Sequence, residues 1–160
     1  MIKQAIVTLA LLATTRAAVA QPGCPPPVVK VLRNNQEVPG AGAAFAPKVT
    51  LLVSSSPECA AKATYRFREA EVTLLRGRRP LLPTKLVRRP EADLTDLMGI
   101  AQPGDRIRVF VLYKNLAVVS ADGKLSLYPA PKVDDKNELN ANLLTDEARG
   151  VGFNWVLLQK

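Results

Sequence analysis

The stretch Gln102 to Tyr113, QPGDRIRVFVLY, constrains this chain more than any other. Pro103-Gly104-Asp105 is turn chemistry, because proline presets φ for the second position of a turn and glycine accepts the positive φ that can follow it. From Arg106 the residues alternate. An extended backbone then sends Ile107, Val109, Val111 and Tyr113 to one face and Arg106 and Arg108 to the other. The expectation is a half-buried strand entered through a tight turn.

Similar runs lie on both sides of it. Val28 to Arg33 reads as a short strand closed by an Asn34-Asn35 turn, and Val38 to Ala46 as loop. Lys48 to Val53 is a second strand, with Val49, Leu51 and Val53 on one face. Tyr65 to Leu75 is the long central candidate. Tyr65 and Phe67 share one face, but Val72 and Leu74 fall on the opposite phase, and a β-bulge near Glu69 to Glu71 would reconcile them. Helix competes with that reading over Glu69-Ala70-Glu71. Leu94 to Ala101 suits one helical turn. Val118-Val119 and Leu125 to Tyr128 flank Ala121-Asp122-Gly123, a hairpin signal. Pro129 to Gly152 reads as polar loop, with a helical turn over Leu139 to Leu144. Phe153 to Leu158 closes the chain as a strand, with Phe153, Trp155 and Leu157 facing one way. About six or seven strands and no long amphipathic helix predict an all-β fold. The expected arrangement is a single, mostly antiparallel β-sandwich over residues 21–160.

Residues 1–20, MIKQAIVTLALLATTRAAVA, open with a lysine, run through an apolar core from Ala5 to Ala13 and close on Ala18-Val19-Ala20. That is the pattern of a secretory signal peptide cut before Gln21. The apolar run is shorter than a spanning helix needs, and no other segment is long and apolar enough to cross a membrane. Cys24 invites comparison with a lipoprotein signal, but Gln21-Pro22-Gly23 before it lacks the apolar residue such a signal wants. The expected product is periplasmic or secreted. Losing Lys3 and Arg16 would lower the net charge of +8 to +6, leaving a basic protein drawn to acidic surfaces. Export makes nucleic acid a poor partner.

An oxidising compartment favours a bridge between the two cysteines, Cys24 and Cys59, which would staple the N-terminal arm to the body. There is no CxxC and no histidine, so Ser-His-Asp and Cys-His nucleophile systems and His-rich zinc sites are excluded. Catalysis would have to use carboxylates or lysine. Asp134, Asp135 and Glu138 cluster in a polar stretch that reads as solvated loop, and their spacing does not match an EF-hand. No cofactor, metal or catalytic activity is expected. Arg76, Arg78, Arg79, Lys85, Arg88 and Arg89 form a basic stretch that is either a loop for an anionic partner or a solvated connection around a short strand. Tyr113, Tyr128 and Trp155 are the aromatics that a glycan-binding sheet face would have to expose, and core packing is the competing role for each.

The segments YRFREAEVTLLRGRRPL, LTDLMGIAQPGDRIRVFVLY and ADGKLSLYPAPKV together resemble the C-terminal domain of the gliding-motility-associated protein GldM. The shared features are the aromatic-bearing strand with Tyr65 and Phe67, the Arg76-Gly77 turn, the strand start Gly104-Asp105-Arg106-Ile107 and the Asp122-Gly123 turn. They cover residues 65–133. The resemblance implies a β-sandwich that contacts other cell-envelope proteins of the type IX secretion and gliding machinery. Family members are long, membrane-anchored and dimeric, and the motor-coupling helix has no counterpart here, so motor function is not implied. The expectations are therefore an interaction module first, an envelope- or carbohydrate-binding module second and a carboxylate enzyme third.

Overall fold

The computed structural model describes residues 24–130 and 146–159. The leader pattern at 1–20, the acids Asp134, Asp135 and Glu138, and the turn expected at 139–144 lie outside them.

The described residues are mostly strand. In chain order they form β1 (Val28–Arg33), β2 (Gln36–Glu37), β3 (Ala43–Ala44), β4 (Lys48–Ser54), β5 (Thr64–Phe67), β6 (Ala70–Arg76), β7 (Arg79–Pro80), β8 (Lys85–Val87) and β9 (Glu91–Asp93). There follow β10 (Arg106–Leu112), β11 (Leu116–Val119), β12 (Leu125–Leu127), the helical turn α1 (Asp146–Arg149) and β13 (Gly150–Leu158). Short 3-10 turns occupy Thr95–Leu97 and Tyr113–Asn115. The first sheet runs β12-β11-β5-β4-β1-β2, with β9 also on β4; the second runs β3-β13-β10-β6-β7, with β8 also on β6. Every pairing is antiparallel except β3 with β13.

Period-two burial runs through both sheets, as a strand with one face on a core requires. Val29 and Val31 of β1 and Val49, Leu51 and Val53 of β4 are buried, as are Ala70, Val72 and Leu74 of β6 and Ile107, Val109 and Val111 of β10. All belong to one contiguous apolar cluster that also takes in Trp155 and Leu157 of β13. At about 25 cal/mol per Å² of apolar surface, this shared cluster is the main stabilising contribution. The β1–β2 turn is the one the asparagines announce: Asn34 and Asn35 hold φ of 49° and 63°, the consecutive positive pair of a tight hairpin turn.

Tyr65 to Leu75 is not one bulged strand. β5 belongs to the first sheet and β6 to the second, and the phase of the apolar residues reverses because the chain changes sheets at Arg68-Glu69. A later sheet change, from β10 to β11 through Tyr113–Asn115, runs beside it. Arg68 N–H donates to the Asn115 carbonyl at 2.8 Å, so the two corners are tied together.

Two further readings need correction. The 38–46 loop contains β3, whose two alanines pair with Leu157 and Leu158. β13 begins at Gly150 rather than Phe153. Its glycines looked like loop, but they answer a steric demand: a Cβ on Gly150 would lie 2.3 Å from the Val111 carbonyl oxygen and 2.9 Å from the Phe110 ring. One on Gly152 would lie 3.1 Å from that ring. Phe110 is thus buried on the polar side of β10 across bare backbone, with the Arg108 guanidinium 4.8 Å from its ring centroid.

Candidate functional site

The basic stretch from Arg76 to Arg89 is spread along β6. Arg79 pairs with Arg76 at one end, whereas β8 lies against Ala70–Val72 and puts Arg88 and Arg89 at the other. At the rise of an extended strand, the step from Ala70 to Arg76 separates these groups by roughly 20 Å. Lys85 is paired with Asp96 at 2.7 Å and Arg88 with Glu69 at 3.1 Å, while Arg76 is paired with Asp105. Arg78, Arg79 and Arg89 are exposed and carry no ion pair among the described residues. The six cations therefore do not converge on one anion. What they leave available is Arg78 with Arg79 at one end and Arg89 at the other.

Asp105, which the sequence marked only as a turn residue, is 2% exposed. Its carboxylate accepts from Arg76 Nε at 2.8 Å and Nη2 at 2.9 Å, and from the Gln102 backbone N–H at 2.9 Å. The Asp105 N–H donates back to the Gln102 carbonyl at 3.0 Å, closing the turn around Gly104, whose φ is +90°. The Arg76 hydrogen bond, with the Gln102 N–H adding to it, holds the Asp105 carboxyl below the ordinary carboxylate range against the opposing effect of burial. With both oxygens engaged, this acid is an anchor for the turn. Proline, glycine and an acid in succession were the available signal, but nothing local identified Arg76 as the partner.

The first sheet ends in β12 on one side and in the two exposed polar residues of β2 on the other. Tyr128 N–H donates to the Leu116 carbonyl and Ser120 N–H to that of Lys124, both at 2.9 Å. Antiparallel alternation then turns the backbone N–H and C=O groups of Leu125 and Leu127 away from β11, toward the open edge. No other described strand pairs there. Leu125 and Leu127 are 57% and 70% exposed. Their register partners are Val119 and Ala117, so all four lie on the sheet face opposite buried Leu116 and Val118. The hairpin end is fastened by Asp122, which accepts from the Ser120 hydroxyl and pairs with Lys124 at 3.0 Å. Those contacts, the hydroxyl's first, hold its carboxyl below the ordinary range.

The aromatics are placed in or beside the core. Tyr113 and Trp155 are buried. Tyr128, half-buried, stacks on Tyr113 at 5.3 Å and meets Tyr65 edge-on at 6.1 Å. Burial, with Tyr113 and Tyr65 adding, pushes the Tyr128 phenol up. Cys24 and Cys59 form a disulfide with Cα atoms 5.1 Å apart, joining the arm before β1 to the β4–β5 connection. Among the described residues no group of three or more Cys, Asp or Glu side chains gathers to hold a metal ion, and no helix is long and apolar enough to cross a membrane. Comparison with protein-family models, curated proteins and solved structures finds no match to this chain.

Proposed function

We propose that the protein is an exported, non-catalytic β-sandwich module that binds another protein of the cell envelope, as the resemblance to the GldM C-terminal domain implies. The β12 edge carries this reading. An extended segment of the partner adding there as a strand would gain main-chain hydrogen bonds from Leu125 and Leu127 and apolar contact with the same two side chains. Natural sheets blunt such edges by keeping them short or with inward charges, proline or bulges; β12 is short, at three residues, but has no charge, proline or bulge within it. The leader pattern and the Cys24–Cys59 disulfide support export, since disulfides persist in oxidising compartments. The core shared by the two sheets supports the sandwich. The link to gliding and type IX secretion components rests on the resemblance alone.

The test is capture of envelope proteins on the tagged protein at low and high salt, beside a Leu127→Pro variant. Proline removes an outward N–H and is tolerated at an edge. A partner held at high salt by the parent and lost by the variant is the expected result. A partner that the variant keeps contradicts the reading. So does retention only at low salt, which would mean adhesion through exposed charge.

A further inference from the structure

A separate feature, away from the β12 strand in the pairing order, is built from three adjoining turns: Gly77-Arg78 between β6 and β7, Met98 to Ala101 after the first 3-10 turn, and Gln102 to Asp105 before β10. The Arg76 side chain joins all three, since it leads into the first, donates to the Ile100 carbonyl at 3.3 Å and grips Asp105. β13 fixes them from the other side: Gly104 N–H donates to the Leu157 carbonyl at 2.7 Å and Leu157 N–H to that of Asp105 at 2.8 Å. The turn tips stand clear of the body, because a Cβ on Gly77, Gly99 or Gly104 would meet nothing within 4 Å.

Two kinds of side chain are exposed here. Met98 is 58%, Ile100 40% and Leu158 50% exposed. Arg78 and Arg79 on the first turn and Arg106 at the start of β10 are exposed and have no ion pair among the described residues. The described acids nearby are already engaged, Asp105 by Arg76, Asp96 by Lys85 and Asp93 by the Thr95 hydroxyl and N–H. Asp93 keeps its charge, since its donors are neutral, but three arginines against one such acid leave the local field net positive. The cleft at these turns, about 200 Å³ between Phe45, Pro103 and Leu158, falls below the range of about 300–1,000 Å³ typical of ligand pockets. Apolar side chains on turn tips suit shallow insertion rather than enclosure.

We propose that this surface docks on an anionic lipid bilayer, with Met98 and Ile100 entering the interface while Arg78, Arg79 and Arg106 bind headgroup phosphates. Guanidinium forks match phosphate oxygens in pairs, and basic groups near an anionic leaflet are attracted while apolar neighbours enter the acyl boundary. An acidic protein would satisfy the arginines but would leave Met98 and Ile100 without a role on turns that form no groove. None of the β12 residues takes part in this surface, so lipid docking and partner binding are independent.

Vesicle co-sedimentation of the disulfide-intact protein tests it, using phosphatidylcholine vesicles with and without about one-third phosphatidylglycerol. Binding to the anionic vesicles alone is expected. Arg78→Glu with Arg79→Glu should lower the partition coefficient at least about fivefold per arginine, the factor for one surface charge. Met98→Ser with Ile100→Ser should also weaken binding severalfold at unchanged charge. These side chains are exposed, and an unchanged thermal midpoint identifies variants that remain folded. No binding to anionic vesicles overturns the proposal. Loss with the glutamates but not the serines overturns insertion and marks the surface as an acidic-protein site instead.

Discussion

Arg76, the last residue of β6, grips Asp105, the residue before β10, through two hydrogen bonds of 2.8 and 2.9 Å, so neighbouring strands are locked at the end where their turns meet. The acid is buried and the arginine side chain is about half exposed, at 46%. Solvent screens the guanidinium, so the cost of breaking the pair lies mainly in Asp105 and the Gln102 N–H it would leave behind.

Asp105→Ala should therefore lower unfolding free energy by about 2 kcal/mol, the cost of leaving buried polar groups unsatisfied. Chemical denaturation at neutral pH measures it, and a loss near zero would mean that the turn closes without its acid.

The same carboxyl gives a pH dependence. Its folded pKa lies below the unfolded value of about 3.9, so its contribution is present above that pH and is lost as pH falls through the folded pKa. Denaturation midpoints measured downward from about pH 5 should fall more steeply for the parent than for Asp105→Asn. Parallel curves would remove Asp105 as the cause.

The Cys24–Cys59 bridge spans 35 residues. By the chain-entropy estimate a loop of that length stabilises by about 4 kcal/mol, so reduction, or Cys24→Ser with Cys59→Ser, should destabilise by that order. Denaturation with and without reductant checks it; equal midpoints would show that the arm is not constrained in the unfolded chain.

Gly150 and Gly99 make a matched pair. Gly150→Ala forces a methyl into the Val111 carbonyl and should cost about 3 kcal/mol, whereas Gly99→Ala faces open space and should stay within about 0.5 kcal/mol. Thermal denaturation of the two variants separates these outcomes, and equal midpoints would contradict the close approach of β13 to β10.

The period-two core was legible because alternation is local. β1, β4 and β10 were read with nearly the observed bounds, and Ile107, Val109, Val111 and Tyr113 face inward as expected. The Asn34-Asn35 and Asp122-Gly123 turns were equally plain, since their chemistry is confined to adjacent residues. The sheet change at Arg68-Glu69 was not, because a phase reversal looks the same whether a strand bulges or leaves for the other sheet. Pairing partners decide between them, and those are far away in sequence. The Arg76–Asp105 pair was hidden for the same reason, and so was the division of the arginines between the two ends of β6. The exposed β12 edge was only half legible: the hairpin was evident, but its position as the end of a sheet is a property of the whole topology.

The interaction reading is tested most directly by a photoreactive residue at Leu127 on the β12 edge, compared with one at Leu86, an equally apolar and 52% exposed site on the other sheet. After irradiation in cell envelopes, the account predicts one envelope protein crosslinked from position 127, identified by mass spectrometry, and absent from position 86. Crosslinks to the same protein from both positions, or none from 127, would contradict it.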